Sequence, residues 1–241
     1  MKILEKLAAK NAALWEHPTV TIAFFGDSVT QGCFEIFRKD DGQIETVFDQ
    51  HSGYPHQLAK LLAQLYPAAP VQIINAGLSG DNVSHACKRL ERDVLRYSPD
   101  LTVVCFGLND CMVGMEFLPR YLQGLEEIFR RLQAAGSEVI FMTPNMMNTH
   151  VSCHLKEDWV RRYAATTAQA QNSGTMDAFM EGAREVAKKC GVVLCDCYRI
   201  WKQYAQNGVV IADLLENKTN HPARQMHHLF ATELLKTMFD N

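Results

Sequence analysis

Five short apolar runs constrain the fold more than any other feature of this 241-residue sequence. Each run is rich in Val, Ile, Leu or Phe and is nearly continuous, which is typical of strands buried on both faces of a sheet. The stretches between the runs repeat their apolar residues at helical spacing. Strands that alternate with helices predict right-handed crossovers and a parallel five-stranded sheet covered on both faces. The predicted strands are residues 19–25, 71–75, 101–106, 138–143 and 192–195.

The segments outside the strands divide into helices and two irregular regions. Residues 33–53 contain Asp40-Asp41-Gly42 between two apolar stretches, which predicts a small hairpin. Residues 145–173 are polar and rich in Thr, Gln and Asn, so we expect a long loop that can border a cleft. No linker or repeat interrupts the chain, and we expect one domain over residues 1–241 with a short N-terminal helix. The other predicted helices are residues 54–66, 83–97, 116–135, 176–189 and 223–238.

Composition and charge exclude several classes of function. The net charge is -3 and there is no basic run, so we expect no nucleic-acid partner. No apolar stretch approaches membrane-spanning length and the N-terminus lacks the pattern of a signal peptide, which predicts a cytoplasmic location and no membrane span. The eight cysteines have no paired CxxC spacing, so we expect neither a metal site nor a disulfide framework.

Polar and glycine residues follow the first three apolar runs, at the edge of the sheet where parallel α/β folds bind their ligands. Ser28 lies in the segment GDSVTQG after the first run, Gly80 precedes a helix after the second, and Asn109 follows the third. Taken alone, the Ser28 and Asn109 motifs fit an ordinary turn or helix cap equally well, and the Gly80 motif fits an ordinary turn better. In a doubly wound sheet the first strand lies between the second and third, which predicts Ser28 between Gly80 and Asn109. Acyl transfer requires such a nucleophile flanked by hydrogen-bond donors.

A histidine near the C-terminus completes the predicted site. His221 stands just before Pro222 and the last predicted helix, on a loop that can reach back to the sheet edge. The alternative interpretation is a surface histidine, which is common before a helix.

Together these ordered motifs resemble the SGNH hydrolases, also called the GDSL esterase/lipase family, over nearly the whole chain. The resemblance implies a three-layer α/β/α sandwich with a flavodoxin-like parallel five-stranded sheet, and an esterase that needs no metal or organic cofactor. It implies Ser28 as nucleophile and His221 as general base. It assigns the oxyanion donors to the Ser28 N–H, the Gly80 N–H and the Asn109 side chain.

One position departs from the family pattern. The family usually has Asp three residues before the histidine, and this chain has Lys218 there. Glu216 or Asp213 could bend in to reach His221, or a backbone carbonyl or Asn217 could orient the ring, or the site could be impaired. We favour the second alternative, since the nucleophile and the donors are all kept.

These features predict a serine esterase that hydrolyses a small carboxylic ester through an acyl-enzyme. An O-acetyl carbohydrate is the first expectation for the substrate, because the predicted cleft loops are polar and no long apolar lid is visible. A thioesterase or lysophospholipase is the alternative, as is a non-catalytic binding protein that keeps the fold. A nucleotide-binding module is disfavoured because the GxGxxG and Walker patterns are absent. The acyl group, the alcohol and the oligomeric state stay open. The polar loop residues are Asp40, Asp41, Gln43, Asn145, Asn148 and Thr149.

Overall fold

Seven strands form two sheets in a computed structural model that describes all of residues 1–241. The main sheet has five parallel strands in the order β4-β1-β5-β6-β7, and β2 and β3 form a separate antiparallel hairpin. Both the parallel sheet and the hairpin around Asp40-Asp41-Gly42 were predicted, and both are confirmed. The strands are β1 Val20–Gly26, β2 Cys33–Arg38, β3 Ile44–Phe48, β4 Val71–Gly77, β5 Leu101–Cys105, β6 Glu138–Met142 and β7 Val193–Cys195.

Ten α-helices surround the main sheet. Because crossovers between parallel strands are right-handed, the helix that leads from β1 to β4 lies on the opposite face from those that lead towards β5, β6 and β7. The packing agrees, since α3 contacts α10 while α6 contacts both α4 and α8. The predicted three-layer α/β/α fold is therefore confirmed. The helices are α1 Lys2–Ala12, α2 Ser28–Gln31, α3 Tyr54–Leu65, α4 Val83–Asp93, α5 Leu108–Cys111, α6 Leu118–Ala134, α7 Asp158–Asn172, α8 Thr175–Cys190, α9 Cys197–Gln206 and α10 Arg224–Asp240.

The prediction of an irregular loop over residues 145–173 is wrong in its second half, where α7 forms. The buried stripe of this helix is made of Ala164, Thr167, Ala168 and Gln171 instead of leucines. Small and polar residues on the buried face hide the apolar period by which a helix is recognised in a sequence. Helix α9 was not predicted at all; it begins directly after β7, where Asp196 accepts a hydrogen bond from the Arg199 N–H.

One hydrophobic cluster of 52 buried residues fills the space between the layers. The N-terminal helix α1 belongs to it through Ile3 and Leu7, which are fully buried. The first backbone N–H groups of α1 donate to the Glu138 carboxylate at the start of β6, with distances of 3.0 Å from Lys2 and 2.6 Å from Ile3. A single domain over residues 1–241 stays a prediction, which this shared cluster favours.

The strand register brings the ends of three strands together. Gly26, the last residue of β1, pairs with Gly77 of β4 on one side and with Cys105 of β5 on the other. The segments that follow β1, β4 and β5 therefore leave the sheet side by side, as the sequence predicts. No helix has the length and apolar character needed to cross a membrane.

Candidate active site

Ser28 is the first residue of the short helix α2, which follows β1 directly. The Asp27 carboxylate caps this helix by accepting a hydrogen bond from the Val29 N–H at 2.9 Å. The turn passes so close to the sheet that a Cβ on Gly26 would lie 2.1 Å from the Thr30 hydroxyl oxygen and 2.6 Å from the Cys105 carbonyl oxygen. Only glycine therefore allows the chain to turn at this point and to present Ser28 at the end of the strand.

The structure brings Ser28 and His221 together, although 193 positions separate them in the sequence. The distance between Ser28 Oγ and His221 Nε2 is 3.0 Å. Each of the two residues is only 4 % exposed, so little water competes for this hydrogen bond.

The other ring nitrogen of His221 meets a backbone carbonyl. His221 Nδ1 lies 3.1 Å from the carbonyl oxygen of Phe34, in β2. Since a carbonyl can only accept, the neutral ring carries its proton on Nδ1, and Nε2 is left to accept the Ser28 hydroxyl proton. The hairpin thus selects the tautomer that a general base for Ser28 requires.

None of the three side chains considered for orienting the ring bonds to it. Asn217 organises the loop instead, because its Oδ1 accepts hydrogen bonds from the backbone N–H groups of Thr219, Asn220 and His221. Glu216 lies 3.6 Å from the Arg224 guanidinium, and Asp213 lies 4.0 Å from the Lys218 ammonium. Among the alternatives left open above, the geometry matches the one with a backbone carbonyl.

Burial lowers the pKa of His221 to about 4, and the hydrogen bond to the Phe34 carbonyl offsets only part of this effect. The charged form loses its hydration in the interior, and no carboxylate contacts the ring to compensate. The imidazole is therefore neutral, and able to accept a proton, over a wide range of pH.

Gly80 and Asn109 lie on the two segments that flank Ser28, after β4 and β5 respectively. Asn109 Nδ2 donates to the Asp81 carbonyl oxygen at 2.8 Å, which joins the two segments directly. Gly80 has a φ of 77°, a conformation that favours glycine, and a Cβ there would face open space. An amide nitrogen carries two hydrogens, so Asn109 keeps a second donor beyond its bond to Asp81.

A buried network that the sequence did not reveal supports this side of the site. Arg89 of α4 donates to the Asp81 carboxylate at 2.7 Å and to the carbonyl oxygens of Ala76 at 2.8 Å and Gly26 at 3.0 Å. Arg89 thus ties the ends of β1 and β4 together beneath the serine.

Burial raises the pKa of Asp27 and of Asp110 to about 7 each, and the hydrogen bonds that they accept from backbone N–H groups lower it only in part.

Asn145 and Asn148 do not face a cleft, contrary to expectation. Asn145 and Asn148 are fully buried. The Asn145 amide donates to the carbonyl oxygens of Met146 and Asn220, and the Asn148 amide to those of His150 and Ala164. These amides hold the backbone of an irregular segment in the interior, where unpaired carbonyl groups would be costly. No group of three or more His, Cys, Asp or Glu side chains is arranged to hold a metal ion.

A cleft of about 330 Å³ opens beside the loop that carries His221. It lies between β2, the residues that lead into α7 and residues 216–218. Its wall combines the aromatic rings of Phe37 and Trp159 with the carboxylates of Glu157 and Glu216.

Known proteins resemble this chain over most of its length. A sequence model of the GDSL-like lipase/acylhydrolase family matches residues 24–229. An acetylxylan esterase from Geobacillus stearothermophilus is 22% identical over 224 residues, which cover 89% of this chain and 92% of that protein.

Solved structures share the fold. A crystal structure of an acetylxylan esterase from Geobacillus stearothermophilus has a TM-score of 0.67 at 20% identity and covers 91% of this chain and 94% of its own. An alpha/beta hydrolase from the metagenome of Lake Arreo, Spain, has a TM-score of 0.66 at 22% identity, with 91% and 95% covered. A two-domain esterase active on acetylated mannans has a TM-score of 0.69 at 17% identity, with 99% of this chain and 52% of that chain covered.

Proposed function

The chain belongs to the GDSL-like lipase/acylhydrolase family and is a hydrolase that acts on ester bonds, and from this premise we propose that it is a serine esterase for small acyl groups carried by carbohydrates. The observation that carries the proposal is the 3.0 Å contact between Ser28 Oγ and His221 Nε2, with the opposite ring nitrogen held by a carbonyl oxygen. This is the geometry of a nucleophile beside its general base.

In the proposed first step, Ser28 Oγ attacks the carbonyl carbon of the ester while His221 Nε2 takes the hydroxyl proton. The oxyanion that forms is stabilised by the Ser28 N–H, the Gly80 N–H and the second amide hydrogen of Asn109. The Ser28 N–H is available because the first N–H groups of a helix have no partner within it. Each preorganised donor of this kind contributes about 3 to 4 kcal/mol to the transition state.

In the second step, the carbon–oxygen bond to the alcohol breaks and His221 returns its proton to the leaving oxygen. A water molecule then attacks the acyl group on Ser28, with His221 again as base, which releases the acid and restores the serine. No metal or organic cofactor takes part in either step.

Two observations support a carbohydrate ester as the substrate. The relatives at 17 to 22% identity include an acetylxylan esterase and an esterase active on acetylated mannans. In addition, the cleft beside the His221 loop mixes aromatic and polar groups, as sites for small hydroxylated ligands do. We assign this cleft to the alcohol part of the ester, with Trp159 on its wall.

The direct test compares hydrolysis of acetylated xylo-oligosaccharides with that of p-nitrophenyl esters of increasing chain length. We expect the acetyl esters to have the highest kcat/KM, and Ser28→Ala to abolish turnover of all of them. Ser28→Ala also allows binding to be followed without turnover, and we expect xylo-oligosaccharide to shift the Trp159 indole N–H resonance.

Two outcomes would redirect the proposal. A preference for long acyl chains would favour a lysophospholipase or thioesterase. Failure of Ser28 to react with a fluorophosphonate in the folded protein, together with inactivity on every ester, would favour a binding protein that keeps the fold.

A further inference from the structure

The group that orients His221 belongs to the hairpin and not to the main sheet. Phe34 lies in β2, whose only strand partner is β3. A main-chain carbonyl is fixed in space only if its strand is fixed. The contacts that hold β2 against the histidine loop therefore decide how well His221 is aligned.

Arg224 supplies the ion pairs among those contacts. It is the first residue of α10, three positions after His221, and its guanidinium forms a two-pronged ion pair with Glu35, at 2.7 Å from Nη1 and 3.1 Å from Nη2. Its Nε donates to Asp49, just beyond β3, at 3.2 Å. The guanidinium carbon also lies 4.3 Å from the centre of the Phe34 ring. A single side chain thus binds the ring of Phe34, the residue after it and the end of the hairpin.

We propose that Arg224 is a positioning residue for catalysis, which clamps the hairpin so that the Phe34 carbonyl holds the imidazole of His221 in place of the absent carboxylate. The inference rests on the proposed function, because alignment of His221 matters only if His221 is the base. Through this clamp, Arg224 fixes the tautomer and the angle of a ring that it does not touch.

The clamp acts through geometry and not through charge. The causes that set the pKa of His221 are burial and the Phe34 hydrogen bond, and no charged neighbour is among them. Arg224 does lower the pKa of Glu35, principally through their hydrogen bond, which keeps this partner ionised. Arginine suits the role because its planar fork matches both oxygens of a carboxylate, whereas lysine offers a single point charge.

The experiment measures kcat and KM for p-nitrophenyl acetate in Arg224→Gln and Arg224→Lys, together with the ring 15N shifts of His221 by NMR. We expect both variants to lose on the order of 10- to 100-fold in kcat, as misplaced catalytic groups do, with much smaller changes in KM. We also expect the ring to shift from a single tautomer to a mixture.

The matched control is Arg130→Gln, which removes an ion pair on the surface of α6 in which two guanidinium nitrogens donate to Glu126 Oε1. It should leave kcat and the His221 shifts unchanged. If the Arg224 variants do not fold, Glu35→Gln and Asp49→Asn weaken the same clamp from the other side and should give the same tautomer mixture.

Two results would overturn the inference. One is wild-type kcat and an unchanged tautomer in Arg224→Gln. The other is full activity in Arg224→Lys, which would show that charge alone suffices.

His221→Ala separates this inference from the proposed function. If that variant is as active as wild type, the proposed function fails. If it loses activity while Arg224→Gln keeps normal activity, only the clamp is rejected.

Discussion

The two sides of the candidate site are held by different kinds of ion pair. On the side of Ser28, Arg89 and Asp81 are 7% and 1% exposed, and Arg89 ties together the ends of β4 and β1. On the side of His221, Arg224 and Glu35 are 34% and 27% exposed, and they fasten a peripheral hairpin. Similar ion pairs can thus serve different ends: we expect the buried one to secure the fold beneath Ser28 and the exposed one to align His221.

Burial favours the uncharged form of the ionisable groups on both sides of the site. The resulting contribution to stability depends on pH in opposite directions for the acids and for the histidine. It raises the pKa of Asp27 and Asp110 to about 7 and lowers that of His221 to about 4. The folded state therefore holds extra protons on the acids between about pH 4 and 7, so their contribution to stability falls as pH rises through that window. The histidine binds fewer protons in the folded than in the unfolded state, so its contribution is lost as pH falls from about 6.5 to 4.

The largest expected effect is on the buried side. Arg89→Met would leave the Asp81 carboxylate buried without a hydrogen-bond partner, and we expect a loss of about 3 to 5 kcal/mol in the free energy of unfolding by urea. Arg224→Gln, at the exposed clamp, should cost about 1 kcal/mol or less. Equal losses in the two variants would contradict the contrast between the two ion pairs.

Next in size is the loss of an oxyanion donor. Asn109→Ala should lower kcat for p-nitrophenyl acetate by roughly 10²- to 10³-fold. Asn82→Ala is the control, because Asn82 is a neighbouring asparagine that caps α4 by accepting from the Ser84 and His85 N–H groups. That variant should lose about 1 kcal/mol of stability with little change in kcat. A similar kcat loss in both variants would argue against a donor role for Asn109.

A smaller effect, of known direction, is expected in the pH dependence of the free energy of unfolding. Between pH 6.5 and 4.5 the unfolded chain protonates His221 while the folded protein does not, which costs the folded state about 2 kcal/mol. His221→Ala removes this contribution, so its free energy of unfolding should fall by about 2 kcal/mol less than that of wild type over the same interval. Identical falls in the two proteins would mean that the ring is protonated normally in the folded state.

The smallest effect is expected where the family usually has an aspartate. Lys218 has a φ of 59°, which aspartate adopts more readily than lysine, so Lys218→Asp should fold well. Because the Phe34 carbonyl already accepts the Nδ1 proton, we expect kcat to stay within about twofold of wild type, as for most surface changes. A tenfold gain would show that a carboxylate at this position displaces the carbonyl.

Much of this arrangement could be predicted from the sequence, but the sequence carries no signal for the remainder. The strands follow from apolar runs, and Ser28, Gly80 and Asn109 come directly after three of them. His221 is indicated by its place before Pro222 and the last helix, and its role as base is implied by the resemblance. The Phe34 carbonyl could not be predicted, because every residue carries one and this one lies 187 positions from the ring that it orients.

The charged residues that support the site were missed for a related reason. Arg89 and Arg224 sit in ordinary amphipathic helices, where an arginine usually faces solvent. Arg89 is distinguished by the carbonyl and carboxylate groups around it, and Arg224 by carboxylates alone. Several of these groups come from distant parts of the chain. Helix α7 was hidden because its buried face is made of alanine, threonine and glutamine.

The central claim is that Ser28 and His221 hydrolyse esters with a backbone carbonyl in the place of an acid. The most direct test is the pH dependence of kcat/KM for p-nitrophenyl acetate, since its acid limb reports the pKa of the base in the free enzyme. We predict a limb well below pH 6.5, towards the value of about 4 set by burial, and a collapse of activity by roughly 10⁴-fold or more in Ser28→Ala and in His221→Ala. An acid limb near pH 7 or above would contradict the account, because it would mean that burial does not lower the pKa of His221, and so would substantial activity in His221→Ala.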